Sequence, residues 1–189
     1  MAGDASFRRY ERVSLDGRTA VLMDAPPLTE DVRPFVRLTH HLRDMGYSAP
    51  EILSEDRLSG FLLLEDLSTL PRLQDALTKG TRSEQRDLLV GLALLVRQMH
   101  QSGIWYRDLK PSNILVDQAA EGVDRFVLLD HDRNRFLRRE IRHRKAAQDL
   151  AAIHVGLERT VHWRDLLFGL KHYDMKMLPL VEDATARRM

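Results

Sequence analysis

WYRDLKPSNILVD, residues 105–117, decides the reading of this chain. Asp108 and Asn113 stand five positions apart behind Arg107, and the apolar run Ile114, Leu115, Val116 follows. Further on comes FVLLDHD, an apolar run ending in Asp130, which lies 22 residues after Asp108. Transfer of a phosphoryl group from a magnesium-bound nucleotide needs this set. One carboxylate accepts the proton of the attacking hydroxyl; an amide oxygen and a second carboxylate hold magnesium on the phosphates. A lone aspartate at 108 would read as a turn or helix cap. Its spacing to Asn113 and Asp130 makes it the candidate base, with those two as magnesium ligands. Magnesium prefers a few hard protein oxygens completed by phosphates and water.

The rest of the chain narrows the class. At 189 residues it is one ordinary domain or two small lobes sharing a cleft. With 43% hydrophobic and 30% charged residues, the composition is that of a soluble globular protein. No apolar run approaches the roughly 18 residues of a membrane span, and polar sequence directly after Met1 reads as the lack of a signal peptide. The absence of cysteine excludes disulfides and thiolate metal sites and fits a reducing cytoplasm. Eight histidines show no metal-ligand spacing.

Residues 1–68 read as strands with one helix. Phe7–Ser14 and Thr19–Met23 flank Asp16-Gly17, a hairpin-turn dipeptide, and Pro26-Pro27 ends the second strand. Thr29 is placed to cap a helix with Glu30 and Asp31 in its first turn. Phe35, Leu38, Leu42 and Met45 form its apolar stripe and Gly46 stops it. Ile52-Leu53 and Gly60–Glu65 read as two further strands. Residues 69–189 read as mainly helical. Ser83 is placed to cap a helix with the stripe Leu88, Leu89, Leu92, Leu95, Val96, Met99, closed by Gly103. Ile114–Val116 and Phe126–Leu129 predict a short hairpin that sets Asn113 and Asp130 at neighbouring strand ends. A helix over Arg144–Leu157 and an apolar stretch at Leu166–Leu170 follow.

The motif at 105–117 resembles the protein-kinase catalytic loop H-R-D-x-x-x-x-N, with Tyr106 in the histidine position. GDASFRRY at 3–10, VLMDAPP at 21–27 and LLLEDL at 62–67 resemble aminoglycoside-phosphotransferase-type anomeric kinases of N-acetylmuramate and N-acetylglucosamine. YRDLKPSNILVD, LLDHDRNRF and KAAQDLAAIH resemble lipopolysaccharide-core and Kdo kinases. The resemblance implies an α+β, two-lobed protein-kinase-like fold: a small antiparallel sheet lobe with one helix, residues 1–68, binding the nucleotide, and a mainly helical catalytic lobe, residues 69–189. It implies ATP and Mg2+, Lys110 at the transferring phosphate, and Asp149 bonded to the catalytic-loop backbone. Lys110 also reads as an ordinary solvated loop lysine. Asp132 and His131 take the glycine and phenylalanine positions of D-F-G; Asp132 reads as solvent-facing and His131 as packed.

The nucleotide grip departs from the pattern. The turn at Gly3 to Ser6 offers backbone N–H groups to phosphate, with Arg8 or Arg9 adding charge, since only one of the two can face inward on an alternating strand. The strand-lysine place falls on Met23, and no lysine precedes Lys79. Glu65 and the backbone through Leu67 are expected at the adenine. Trp105, His162, Trp163, His172 and Tyr173 are candidates for a sugar site or, for most, core packing.

Arg133–Lys145 holds seven Lys/Arg against one acid, Glu140. Such a run is usually a solvated face. With no interleaved aromatic beyond Phe136 it does not read as a nucleic-acid site, but it would steer an anionic acceptor. The expected acceptor is a small-molecule sugar or anionic saccharide, with peripheral inner-membrane contact left open by the core-kinase resemblance. Met1 and Ala2 alone precede Gly3, and about 60 residues follow Asp130, short of the room that acceptor-binding helices take in a small kinase. A fragment, a minimal member and a sequence joining two subfamilies all stand open. The rival from another class is a non-catalytic pseudokinase, favoured by Met23 and opposed by the intact Asp108, Asn113 and Asp130.

Overall fold

The structure is a computed structural model that describes residues 7–130 and 133–188, the Trp163 side chain excepted. The chain divides between Thr69 and Leu70 into two compact units.

The first unit begins with β1 (Arg9–Leu15) and β2 (Arg18–Asp24), paired antiparallel with Leu15 opposite Arg18. Asp16 and Gly17 both take positive φ, 51° and 76°, which matches the strand twist in a two-residue hairpin. With β3 (Ile52–Asp56) and β4 (Phe61–Glu65) they form a four-stranded antiparallel sheet in the order β1-β2-β4-β3. Alternation along β2 and β4 turns Met23, Leu62 and Leu64 inward, where they pack with Ala25 and with Val32, Phe35 and Val36 of α1 (Val32–Asp44).

That helix starts later than the sequence led one to expect. Asp31, not Thr29, is its cap, accepting from the Arg33 N–H at 3.0 Å. Thr29 and Glu30 instead donate their N–H groups to Pro26 O in the preceding turn. The Glu30 carboxylate is drawn away to the Phe7 N–H at 2.8 Å and Arg8 Nε at 3.2 Å. Pro34 is tolerated because a first-turn N–H has no intrahelical acceptor.

The second unit packs α2 (Leu73–Lys79), α3 (Arg82–Gln101), α4 (Arg144–Leu157), α5 (Trp163–Tyr173) and α6 (Leu178–Ala186). α3 is capped by Thr81 rather than Ser83. The reason lies three residues on: from Thr81 that position is Glu84, whose carboxylate returns a bond to the Thr81 N–H at 2.6 Å. From Ser83 it would be Arg86, which has no acceptor. Leu88, Leu89, Leu92, Leu95, Val96 and Met99 of α3 are buried as their spacing predicts. Truncating Leu95 or Met99, both at most 1% exposed, to alanine should cost about 2–5 kcal/mol.

Two short strand pairs then build the site. β5 (Ile104–Trp105) pairs with β8 (Arg135–Phe136), and β6 (Ile114–Val116) with β7 (Phe126–Leu128). Gly103 ends the α3 connection with φ 81°, and a Cβ there would lie 2.2 Å from Leu137 O. Only glycine lets the Leu137 N–H reach Gly103 O at 2.9 Å, which anchors the segment after β8 beside β5.

Candidate active site

The loop from β5 to β6 carries the candidate chemistry, and buried groups hold it from behind. Asp149 on α4 is fully buried. Its Oδ1 accepts from the Arg107 N–H at 2.8 Å, and its Oδ2 accepts from the Tyr106 N–H at 2.9 Å and faces His100 Nε2 at 3.1 Å. A buried carboxylate needs such donors, and these are the loop bonds the family resemblance implied. Tyr106, also fully buried, donates its hydroxyl to Leu129 O. It thereby ties the catalytic loop to the residue before Asp130, a link within reach of tyrosine in the place of the motif's histidine. Arg72, just before α2, donates to Ser112 O from the far side of the loop.

The hairpin is where the spacing placed it. The Leu129 N–H donates to Asn113 O at 2.8 Å, which extends the β6–β7 pairing by one step and brings Asn113 beside Asp130. Asn113 Nδ2 lies 3.4 Å from Asp130 Oδ2 and 3.5 Å from Asp108 O. Lys110 Nζ donates to Asp108 Oδ2 at 2.8 Å; the lysine is half exposed, so the pair adds little stability but does orient the carboxylate. Arg107 and Asp130 take φ of 71° and 51°. Left-handed non-glycine residues cost about 1–3 kcal/mol each and persist where the surroundings impose them, as at active sites. Among the described residues no group of three or more His, Asp or Glu could hold a metal by itself. Asn113 and Asp130 together present hard oxygens of the kind magnesium takes, and could hold it only with further oxygens from outside the protein.

The basic segment adjoins this loop. Trp105 meets two cations, with Lys145 Nζ 4.7 Å and the Arg107 guanidinium 5.2 Å from its ring centroid. Leu137, Arg139, Arg142, His143, Arg144 and Lys145 line a recess of about 720 Å³. Arg142 bonds Glu140 at 3.0 Å, so part of the positive charge is neutralised locally.

The other aromatic candidates for a sugar site are not gathered there. His162 caps α5, His172 meets Phe168 edge-on, and the Tyr173 hydroxyl lies 2.7 Å from His100 Nδ1. The Trp163 side chain, His131, Asp132, Gly3 and Ser6 lie outside the described residues.

The first unit holds the remaining candidates, each in its own surroundings. Arg8 is the inward member of its pair: its guanidinium bonds Glu30 at 3.2 Å and lies over the Phe35 ring, with 9% of the side chain exposed. Arg9 is exposed at the start of β1. The Glu65 N–H donates to Glu51 O at 2.9 Å and its carboxylate accepts from the Glu51 N–H at 3.1 Å, closing the β3–β4 pair. Leu67 follows, half-buried, beyond Asp66. Hydrogen bonds from Ser68, then Thr19 and Arg12, hold the Asp66 carboxyl far below the usual carboxylate range. Met23 is fully buried in the sheet–helix core.

Sequence reasoning missed Arg72 and His100. Arg72 carries no motif, and His100 looks like any last-turn histidine on an apolar helix.

A four-stranded antiparallel unit with one helix, followed by a helical unit presenting Asp108, Asn113 and Asp130, defines the protein-kinase-like superfamily. Within it, the chain belongs to the lipopolysaccharide kinase (Kdo/WaaP) family, whose model matches residues 40–167. It is 39% identical over 103 residues to an N-acetylmuramate/N-acetylglucosamine kinase of Pseudomonas aeruginosa, covering 54% of this chain and 30% of that protein. It is 48% identical over 68 residues to the kinase of the same name from Pseudomonas putida, covering 36% of this chain and 20% of that one. The chain thus spans less than a third of the length of the curated relatives it matches. Its fold matches that of WaaP solved in complex with acyl carrier protein, with a TM-score of 0.71 at 21% identity over 98% of this chain and 87% of that one.

Proposed function

We propose that the protein is an ATP- and magnesium-dependent phosphotransferase acting on a sugar hydroxyl. The observation that carries this reading is the convergence of Asp108, Asn113 and Asp130 on one loop and hairpin, held by the buried Asp149. Asp108 accepts the proton of the acceptor hydroxyl as its oxygen attacks the γ-phosphorus. The bond from that phosphorus to the β–γ bridging oxygen breaks, and ADP leaves with the electron pair. Lys110, 2.8 Å from Asp108, is placed to neutralise charge on the moving phosphoryl group. Asn113 Oδ1 and Asp130 would hold magnesium, which when bound neutralises the phosphates. In the first unit, Gly3, Ser6, Arg8 or Arg9, Glu65 and the backbone through Leu67 are the proposed nucleotide contacts.

The names of the curated relatives favour a free amino sugar as acceptor. A second reading, an anionic saccharide of the lipopolysaccharide core, is favoured by the basic recess beside the loop and by the family. Both readings place the protein in the cytoplasm, where ATP is available. No helix among the described residues is long and apolar enough to cross a membrane, and the second reading adds peripheral contact with the inner membrane. Mass spectrometry of reactions containing ATP, magnesium and a panel of free and phosphorylated sugars tests this. A product heavier by one phosphoryl group is expected with at least one amino sugar. No such product with any acceptor would leave the non-catalytic reading in its place.

A further inference from the structure

α5 ends at Tyr173, whose hydroxyl lies 2.7 Å from His100 Nδ1. The other ring nitrogen faces Asp149 Oδ2 at 3.1 Å. His100 is 1% exposed and Asp149 fully buried, so every polar atom there depends on its protein partner. An ionised carboxylate only accepts, so the ring hydrogen belongs on Nε2. In the neutral imidazole Nδ1 is then an acceptor, and the Tyr173 O–H is its donor. Burial first, and then the charges of Asp149, Glu140 and Asp174 against that of Arg97, raise the phenol well above its ordinary value. It therefore keeps the hydrogen that the Nδ1 lone pair accepts.

Consecutive hydrogen bonds thus run from Tyr173 through His100 and Asp149 to the Tyr106 and Arg107 amides, immediately before Asp108. Arg107 is a residue whose backbone needs holding, since its φ is 71°. We propose that Tyr173 is a positioning residue for the phosphoryl-transfer site: its hydroxyl reinforces the His100 tautomer that the Asp149 carboxylate sets, and Asp149 so held fixes the backbone ahead of Asp108. Without the hydroxyl, Nδ1 is left unpaired in a buried site and the two tautomers draw closer in energy. The wrong one turns a lone pair toward the Asp149 carboxylate and takes a donor from it. The inference rests on reading Asp108 as the base.

Tyr173→Phe removes only the hydroxyl and keeps the edge-on ring contact with His100, whose centroid is 5.6 Å away. In the full chain it should speed amide hydrogen exchange at Tyr106 and Arg107 by about two- to tenfold, the size of one net hydrogen bond. The 15N resonance of His100 Nδ1 should shift as that nitrogen loses its donor, while Nε2 keeps its hydrogen toward Asp149. With N-acetylmuramate as acceptor, kcat should fall by a similar factor while KM for ATP holds. In His100→Gln, whose side-chain amide can donate to Asp149 without help from Tyr173, adding Tyr173→Phe should have no further effect. Unchanged exchange and ring resonances in Tyr173→Phe, or an undiminished further loss in the His100→Gln background, would overturn the proposal. Exchange and ring resonances decide it even if the wild-type chain proves inactive; that result would count against the proposed function instead.

Discussion

The acids that anchor the two units are used in different ways. In the second, a buried acid, Asp149, has its lone pairs turned on the backbone of the catalytic loop, leaving Asp108, Asn113 and Asp130 at the surface of a fixed frame. In the first, charges are joined to one another: Arg8 to Glu30, Arg12 to Asp66. The position that carries a lysine in the kinase pattern holds a buried methionine. The difference teaches that the proposed chemistry would rest on groups the core immobilises. In the small unit Arg8 and Arg12 are already engaged by acids, whereas Arg9 is exposed.

The largest expected effect is that of Asp108→Asn. It removes the base and leaves the frame, so kcat should fall by about 10²–10⁴ while ATP binding stays near wild type. Retention of more than about half the activity would break the contrast at its catalytic side. Next comes Asp149→Ala, which takes their shared acceptor from His100 Nε2 and the Tyr106 and Arg107 N–H groups. A loss of about 1–3 kcal/mol for each buried donor left unsatisfied is expected by urea unfolding, and an unchanged midpoint would show that the frame does not depend on this acid.

The first unit should respond more weakly, and its two arginines should separate. Arg8→Ala should destabilise the unit through the Glu30 pair and the Phe35 contact. Arg9→Ala, on an exposed side chain, should weaken ATP by up to about tenfold, one charge-assisted contact, and leave adenosine unchanged. Equal weakening of ATP and adenosine by Arg9→Ala would show that it has no phosphate role. The smallest effect concerns Asp66. Its carboxyl is depressed in the folded unit, so its contribution to stability is fully present above the unfolded value near ~4 and is lost as pH falls below it. Asp66→Asn should flatten the acid limb of the melting-temperature profile; an identical limb would show that other carboxylates set it.

Much of the second unit was legible because its signals are local. The five-residue spacing of Asp108 and Asn113 and the apolar run ending at Asp130 fix a loop and a hairpin whatever surrounds them. The apolar stripe of α3 survived even though its cap moved from Ser83 to Thr81, since burial and not the cap decides which residues face inward. α2 was not legible: it is seven residues long and Arg72 makes no side-chain cap. The β5–β8 pair is two residues per strand and is held by the close approach at Gly103, which appears only once Leu137 is in place. The partner of Arg8 could not be read either, because Glu30 is 22 residues away and looked like a helix-start acid.

The central claim, that Asn113 and Asp130 complete a magnesium–nucleotide site around Asp108, is tested most directly by calorimetric titration of the chain with ATP, with and without magnesium. In the wild type, magnesium should strengthen ATP binding. In Asp130→Ala that strengthening should disappear while metal-free ATP affinity stays within about twofold, because a divalent ion bridging phosphates depends on the missing carboxylate. An undiminished magnesium effect in the variant would contradict the account and put the metal elsewhere.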